Sequence, residues 1–181
     1  GEQCLLSKRW PGNDFRLLLK PNGTDNDVVF YLNGQEHNFG LLGMGYQHLA
    51  FTIDSSGNDR IVTAYKNGAP FGTTSTFSGV TGNWSDSTAN WMVGARPSGV
   101  SQTGYFGGLI DEIAVYDTTL TQVRILEHFQ HSRSPQERGL RVYFAFDEGT
   151  GSRLNNAGSL LIPSGTKFGP DWITFSPNQV T

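Results

Sequence analysis

Two pairs of adjacent acidic residues, Asp111-Glu112 and Asp147-Glu148, are the first candidates for catalysis. A retaining glycosidase needs two carboxylates about 5–5.5 Å apart, one as nucleophile and one as acid/base. On a strand, residues two or four apart share a face, whereas sequence neighbours point to opposite faces. Neither pair has the required spacing, and the two histidines of a predicted helix lack a partner that would complete a zinc site. The sequence therefore predicts a protein that is not an enzyme.

Asp111 has the most informative position among the acidic residues. Alternation along its strand groups it with the apolar residues Leu109 and Ile113, so its side chain is predicted to point inward. An inward carboxylate is costly unless it is paired or bound to a cation. Two alternatives follow: a structural Asp that is hydrogen-bonded or paired with Arg141 or Arg153, or a structural calcium site made of carboxylate and backbone oxygens.

Aromatic side chains outside the predicted core are candidates for ligand binding. Trp10 and Trp84 lie in loops rich in Gly, Asn, Asp and Ser, and Tyr105 follows another loop. The apolar C–H face of a sugar ring stacks well on a flat aromatic ring, and binding surfaces are enriched in aromatic residues. Trp91 lies in a predicted strand and is assigned to the core. Loop tryptophans also cap the ends of β-sandwiches, so both roles stay open for Trp10 and Trp84.

Composition narrows the range of partners. The 181 residues carry a net charge of −3 and form no basic stripe, which argues against a nucleic-acid partner. No apolar run is long enough to span a bilayer. The single cysteine, Cys4, is interpreted as a small core residue rather than a reactive thiol. Two N-glycosylation triplets begin at Asn22 and Asn83 in turn-like sequence, which weakly supports an extracellular protein.

Periodicity and turn residues predict an all-β chain with one helix. Strands are predicted at 4–8, 15–20, 28–32, 47–54 and 60–66, and Asn67-Gly68 predicts a type I′ hairpin. The polar, glycine-rich stretch 35–45 is predicted to be a loop. A helix is predicted over 121–131, with Thr121 preferred to Thr119 as its N-cap.

The order of these elements resembles laminin-G-like domains of the concanavalin A-like jelly-roll superfamily. Members carry a W-x-x-V-A-x-T-x-D strand, a Y-x-N-G hairpin and a G-x-I-D-E-x-x-x-Y closing strand. Here His48, residues 65–68 and residues 108–116 stand at the matching places, and the resemblance extends from about Leu6 to about His131. It implies an antiparallel β-sandwich of the concanavalin A-like jelly-roll type.

The resemblance also implies a calcium site and a class of function. Family members often hold a calcium ion where the opening and closing strands meet, which would bring Asp147 near Asp111. The hydrolases of the superfamily carry an E-x-D-x-x-E run, which this chain lacks. The expected function is that of a non-catalytic, extracellular or cell-surface recognition or adhesion module, with carbohydrate as its first expected ligand. The alternative is a structural or protein–protein adhesion repeat that binds an extracellular protein or self-associates through sheet edges. A polysaccharide-active enzyme is the third and weakest alternative.

The C-terminal part of the chain has an unusual order. Residues 140–151 resemble the opening strand of the same family, x-Y-x-x-F-D-E-G-x-G, although they follow the closing strand. The predicted domains are a sandwich at 1–131 without its usual first strand, a linker at 132–138, and a segment at 139–181. That segment either completes this sandwich or starts a second one. The strand predicted at 140–146 is apolar on both faces. It is therefore predicted to pair with the closing strand, within this chain or from another copy.

Overall fold

Up to residue 80, the described part of the chain forms antiparallel strands, which the sequence predicts except over 35–45. The structure is a computed structural model that describes residues 1–10, 13–80, 91–98, 101–131, 134, 136–159 and 165–166, without the side chains of residues 10 and 13. In chain order its elements are β1 (Gln3–Trp10), β2 (Asn13–Asn22), β3 (Asp25–Leu32), β4 (Gln35–Leu41), β5 (Leu49–Asp54), β6 (Arg60–Lys66), β7 (Ala69–Phe77), β8 (Trp91–Val93), β9 (Arg96–Ser98), β10 (Ser101–Thr103), β11 (Ile113–Tyr116), α1 (Gln122–Gln130), β12 (Leu140–Phe144), β13 (Arg153–Leu154) and β14 (Gly165–Thr166).

Two antiparallel sheets share one core. The larger sheet has the strand order β4-β3-β2-β1-β8, and the smaller one has the order β5-β6-β7. Phe30 on β3 lies between them, with ring-centroid distances of 5.1 Å to Phe15 on β2 and 5.4 Å to Phe77 on β7. Because both sheets bury one face against the same cluster, they form a β-sandwich.

The larger sheet is also buried locally on its other face. Cys4, Leu18 and Val29 form a small cluster there, with Tyr31 packed against it. Burial raises the pKa of the Cys4 thiol to about 11, so the thiolate is scarce at neutral pH. Cys4 is therefore a small core residue, as the sequence predicts.

Tight Asn-Gly turns set the register of two hairpins. Asn67 and Gly68 have φ angles of 52° and 80°, the left-handed pair that a type I′ turn requires, and this confirms the prediction for that hairpin. A Cβ at Gly68 would also lie 2.9 Å from the Leu126 Cα, so a side chain there would clash with α1.

The prediction of a loop over 35–45 is wrong for most of its length. Asn33-Gly34 turns the chain back, and β4 then pairs with β3 along Gln35–Leu41. The polar side chains of β4 mostly face outward, while Phe39 is buried in the core. Composition misleads here because an edge strand tolerates polar residues on its exposed face.

Helix α1 begins after Thr121, whose Oγ1 accepts a hydrogen bond from the Arg124 backbone N–H at 3.3 Å. This confirms Thr121 as the N-cap. The buried residue of the helix is Ile125, whereas Val123, part of the predicted apolar stripe, is 68% exposed. None of the helices in the described ranges has the length and hydropathy of a membrane span.

The strand pair β11-β12 confirms the predicted pairing of the tail with the closing strand, here within one chain. Its antiparallel register runs from Ile113 opposite Phe144 to Tyr116 opposite Leu140. The closing strand is shorter than predicted, because regular pairing begins at Ile113. Contacts divide the chain into two compact units, residues 1–108 with 119–132, and residues 109–118 with 133–181. The predicted domain boundaries stay a prediction.

The other edge of β12 is covered by the segment that follows it. The Ala157 backbone N–H donates to the Tyr143 carbonyl at 2.9 Å, and the Ser159 N–H donates to the Leu140 carbonyl at 3.1 Å. The Asn156 side chain accepts a hydrogen bond from the Tyr143 N–H at 2.8 Å. A strand that is apolar on both faces is thereby bonded along both edges.

Candidate functional site

Tyr105, one of the three aromatic residues predicted to bind ligand, has an exposed ring on a fixed backbone. The residue is 64% exposed. On one side the Gly104 carbonyl accepts a hydrogen bond from the Cys4 N–H at 2.7 Å, and on the other the Phe106 N–H donates to the Gly94 carbonyl at 2.9 Å. Phe106 packs against the core of the sandwich. These anchors fix the backbone on both sides of Tyr105, so a ligand that stacks on its ring would order little backbone.

Polar side chains lie close to the backbone that carries Tyr105. The Gln3 Oε1 accepts a hydrogen bond from the Gly107 N–H at 2.7 Å. Arg96 lies beside Gly104 and forms an ion pair with Glu2, with 2.7 Å between Arg96 Nη1 and Glu2 Oε1. Amide, guanidinium and carboxylate groups bind hydroxyl groups, and the ring offers a surface for C–H groups. We use the name tyrosine platform for Tyr105 together with the three polar side chains near its neighbouring backbone, Gln3, Glu2 and Arg96.

The other two predicted ligand-binding residues lie outside the described part of the chain: Trp84 entirely, and Trp10 in its side chain. Their roles stay predictions. Trp91 is partly buried and packs edge-on against Phe15, with 5.9 Å between ring centroids. It therefore belongs to the core, as predicted from its strand.

The predicted calcium ligands Asp111 and Asp147 lie in the second unit, in an acidic environment. Partial burial raises the pKa of the Asp111 carboxyl, and the negative charges of Glu112 and Asp147 raise it further. A hydrogen bond from the Glu112 backbone N–H to Asp111 Oδ1, at 3.0 Å, acts in the opposite direction. The carboxylate of Asp111 would thus be stabilised by a cation.

Two expectations about Asp111 are wrong. Its side chain is only partly buried and does not lie in the core, because the residue precedes β11 instead of lying inside the strand. Arg141, one of its predicted partners, pairs with Asp117, with 2.6 Å between Arg141 Nε and Asp117 Oδ2. The alternation argument fails because it assumed a strand that begins at residue 109.

Glu148, the neighbour of Asp147, was considered only for catalysis in the sequence and not as a cation ligand. Its Oε1 accepts a hydrogen bond from the Asn155 N–H at 2.8 Å, while its Oε2 is buried and has no hydrogen-bond partner among the described residues. Glu148 and Asp147 line a recess of about 320 Å³ together with Asn155. The Asp-Glu pair was visible in the sequence, but only the fold shows that the Glu148 Oε2 is an orphaned oxygen, buried without a hydrogen-bond partner among the described residues.

Backbone strain occurs beside both predicted calcium ligands. Glu112 and Phe146 have φ angles of 48° and 58°, an unfavourable region for residues other than glycine. Each is the direct neighbour of a predicted ligand, Asp111 or Asp147. Such strain is often found where a binding site fixes the backbone.

The donor chemistry of this acidic region fits a hard cation. It offers carboxylate oxygens, which calcium prefers together with backbone carbonyls, and the orphaned oxygen of Glu148 is of the same kind. Within the described ranges, no three side chains of His, Cys, Asp or Glu are grouped to hold a metal ion by themselves. Backbone oxygens would therefore have to complete a calcium site.

Of the two predicted glycosylation residues, Asn22 is described and Asn83 is not. Asn22 ends β2 at an exposed hairpin turn, and its Nδ2 donates to the Asp27 carboxylate at 3.2 Å. An exposed turn has room for a glycan. Glycosylation at both positions stays a prediction.

Residues 41–126 match the laminin G family model described as the concanavalin A-like lectin/glucanases superfamily. The matched segment covers β5 to β10, β11 and the first half of α1, and it includes Tyr105 and Asp111. The match confirms the predicted resemblance and the antiparallel, concanavalin A-like fold class. No curated protein and no solved structure matches the chain.

The superfamily supports a carbohydrate- or protein-binding module. Its description names both lectins and glucanases, so the match alone does not separate binding from hydrolysis.

Proposed function

We propose that the protein is a non-catalytic recognition module that binds carbohydrate at the tyrosine platform. The observation that carries the proposal is the exposed ring of Tyr105, whose neighbours Gly104 and Phe106 are tied by backbone hydrogen bonds. An exposed aromatic side chain on an ordered backbone gives a stacking surface at low entropic cost. Arg96, Glu2 and Gln3 would bind the hydroxyl groups of the same sugar.

The test is binding to a panel of neutral and acidic glycans, with Tyr105→Ala as the variant. Loss of the ring should weaken binding at least about tenfold, equivalent to ~1.4 kcal/mol. Tyr46→Ala is the matched control, since Tyr46 is another exposed tyrosine, 62% accessible, in the same unit. Tyr105→Trp should retain binding. Equal effects of Tyr105→Ala and Tyr46→Ala would refute the platform.

A protein–protein adhesion repeat is the second proposed function. Several large apolar side chains of the first unit are exposed, including Met44 and Phe129, and exposed Met and aromatic residues favour protein contacts. Absence of binding to every glycan, combined with concentration-dependent self-association, would favour this alternative.

We also propose that calcium stabilises the second unit, with Asp111 and Asp147 as ligands. The raised pKa of Asp111, the orphaned oxygen of Glu148 and the strained backbone at Glu112 and Phe146 support this. An extracellular location belongs to the same proposal, because calcium is abundant there and Asn22 lies in an exposed acceptor triplet.

A further inference from the structure

A second recess of about 320 Å³ lies at the end of the β11-β12 pair, in the second unit. Its lining residues are Asp117, Thr118, Arg138, Gly139 and Arg141. The Asp117 N–H donates to the Gly139 carbonyl at 3.0 Å, so the two sides of the recess are joined by backbone. The neighbouring Tyr116 hydroxyl also donates to Glu137 Oε2 at 2.9 Å.

Gly139 keeps the recess open. A Cβ at this position would lie 2.6 Å from the Thr118 Cγ2 and 3.1 Å from the Asp117 Oδ1. The φ angle of Gly139 is 82°, which side-chain-bearing residues rarely adopt. Both observations make glycine the residue that this corner requires.

The charges around the recess leave one cation in excess. Arg141 forms an ion pair with Asp117 through its Nε and one terminal nitrogen, which balances its charge and leaves its other N–H groups to donate. Arg138 is exposed and has neither an ion pair nor a hydrogen bond in the described part of the chain. The Thr118 hydroxyl is likewise without a hydrogen-bond partner among those residues.

The unused donors therefore converge on one small concave surface. They are the Arg138 guanidinium, the remaining N–H groups of Arg141 and the Thr118 hydroxyl. Guanidinium groups bind carboxylate and sulfate oxygens through paired N–H donors, and a hydroxyl adds a third contact. The net positive charge of the lining, two arginines against one aspartate, favours an anion over a neutral group.

We propose that this recess binds an oxyanion group, the carboxylate or sulfate group of a ligand. The site does not depend on the tyrosine platform, whose residues all belong to the first unit. Two sources share this chemistry: an acidic polysaccharide, and a small free anion such as sulfate. The first source would make the protein selective for acidic glycans.

The test is titration of the full chain at low ionic strength with sodium glucuronate, sodium sulfate and neutral glucose, followed by the amide NMR signals of the second unit. Glucuronate or sulfate should bind saturably, glucose should not shift the signals of Thr118 and Gly139, and added sodium chloride should weaken binding. Dextran sulfate, compared with neutral dextran, distinguishes a polysaccharide from a small free anion.

Two variants of the lining should change affinity in opposite directions. Arg138→Gln should weaken anion binding at least fivefold, whereas Asp117→Asn should tighten it because Arg141 is released from its ion pair. Arg153→Gln is the matched control, since Arg153 is also exposed in the second unit and its loss changes the net charge equally. Absence of saturable anion binding would refute the proposed site. Equal weakening of anion binding by Arg138→Gln and Arg153→Gln would also refute it. Equal effects of Tyr105→Ala and Tyr46→Ala on neutral-glycan binding would refute the platform and leave this proposal unaffected, so the two failures are distinguishable.

Discussion

At the scale of single residues, sequence reasoning found some functional candidates and missed their partners. Tyr105 was identifiable because it is an aromatic residue near a loop. Arg96 and Glu2 were not, because they reach the platform through strand pairing that joins distant parts of the chain. Glu148 was set aside because it is adjacent to Asp147. Only the structure, in which its Oε2 is buried without a described hydrogen-bond partner, makes it a candidate cation ligand.

A prediction at this scale concerns Asp111→Asn. The folded-state pKa of Asp111 is raised above its ordinary value of 3.8, which means that the fold favours the protonated carboxyl. The stability that the protonated carboxyl contributes is therefore fully present below pH 3.8. The contribution is lost as the pH rises through the raised pKa. In calcium-free protein at pH 7, Asp111→Asn should therefore increase the free energy of unfolding, by less than about 1 kcal/mol because the side chain is only partly buried. At pH 3 the variant and the wild type should be equally stable.

Calcium should reverse this comparison. Added calcium should raise the melting temperature of the wild type by mass action and leave Asp111→Asn unchanged. Asp54→Asn is the control, because hydrogen bonds from Ser56 lower the pKa of Asp54 and its loss should slightly destabilise the fold at pH 7. A melting temperature that changes with neither calcium nor chelator would refute the proposed calcium site.

At the scale of elements, strands and turns were predictable where hydrophobic alternation is strong. The hairpin at Asn67 and the cap at Thr121 follow from local chemistry. The strand β4 escaped prediction because its exposed face is polar and its partner β3 supplies the pairing. The closing strand was predicted too long, because alternation continues into residues before β11 that do not pair.

Gly158→Ala tests whether the segment after β12 is part of its sheet. A Cβ at Gly158 would clash with the Arg141 carbonyl and lie 2.8 Å from the Val142 backbone nitrogen. The clash should cost about 1–3 kcal/mol and increase amide hydrogen exchange over 140–144. Gly57→Ala is the matched control, because a Cβ there meets nothing within 4 Å, and it should change stability by less than about 0.5 kcal/mol. Equal exchange over 140–144 in both variants would contradict the two-edged pairing.

At the scale of the whole molecule, the resemblance predicted the fold class, whereas the predicted domain boundaries stay a prediction. The two-sheet sandwich follows from the order of hairpins, and the family match covers its second half. The grouping of residues 109–118 with 133–181 was not foreseen, because sequence order places the closing strand inside the first domain. Function is the least predictable level, since lectins and glucanases share this fold.

Binding without turnover is the central claim, and one measurement addresses it directly. The full chain is incubated, with calcium present, with the polysaccharide that it binds best in the glycan panel, and retention on the polymer and release of new reducing ends are measured together. The proposed function predicts retention that Tyr105→Ala reduces at least about tenfold, with no reducing ends above the protein-free blank. Reducing ends that accumulate with time and disappear in a variant of Asp111 or Glu112 would show an enzyme and contradict the claim.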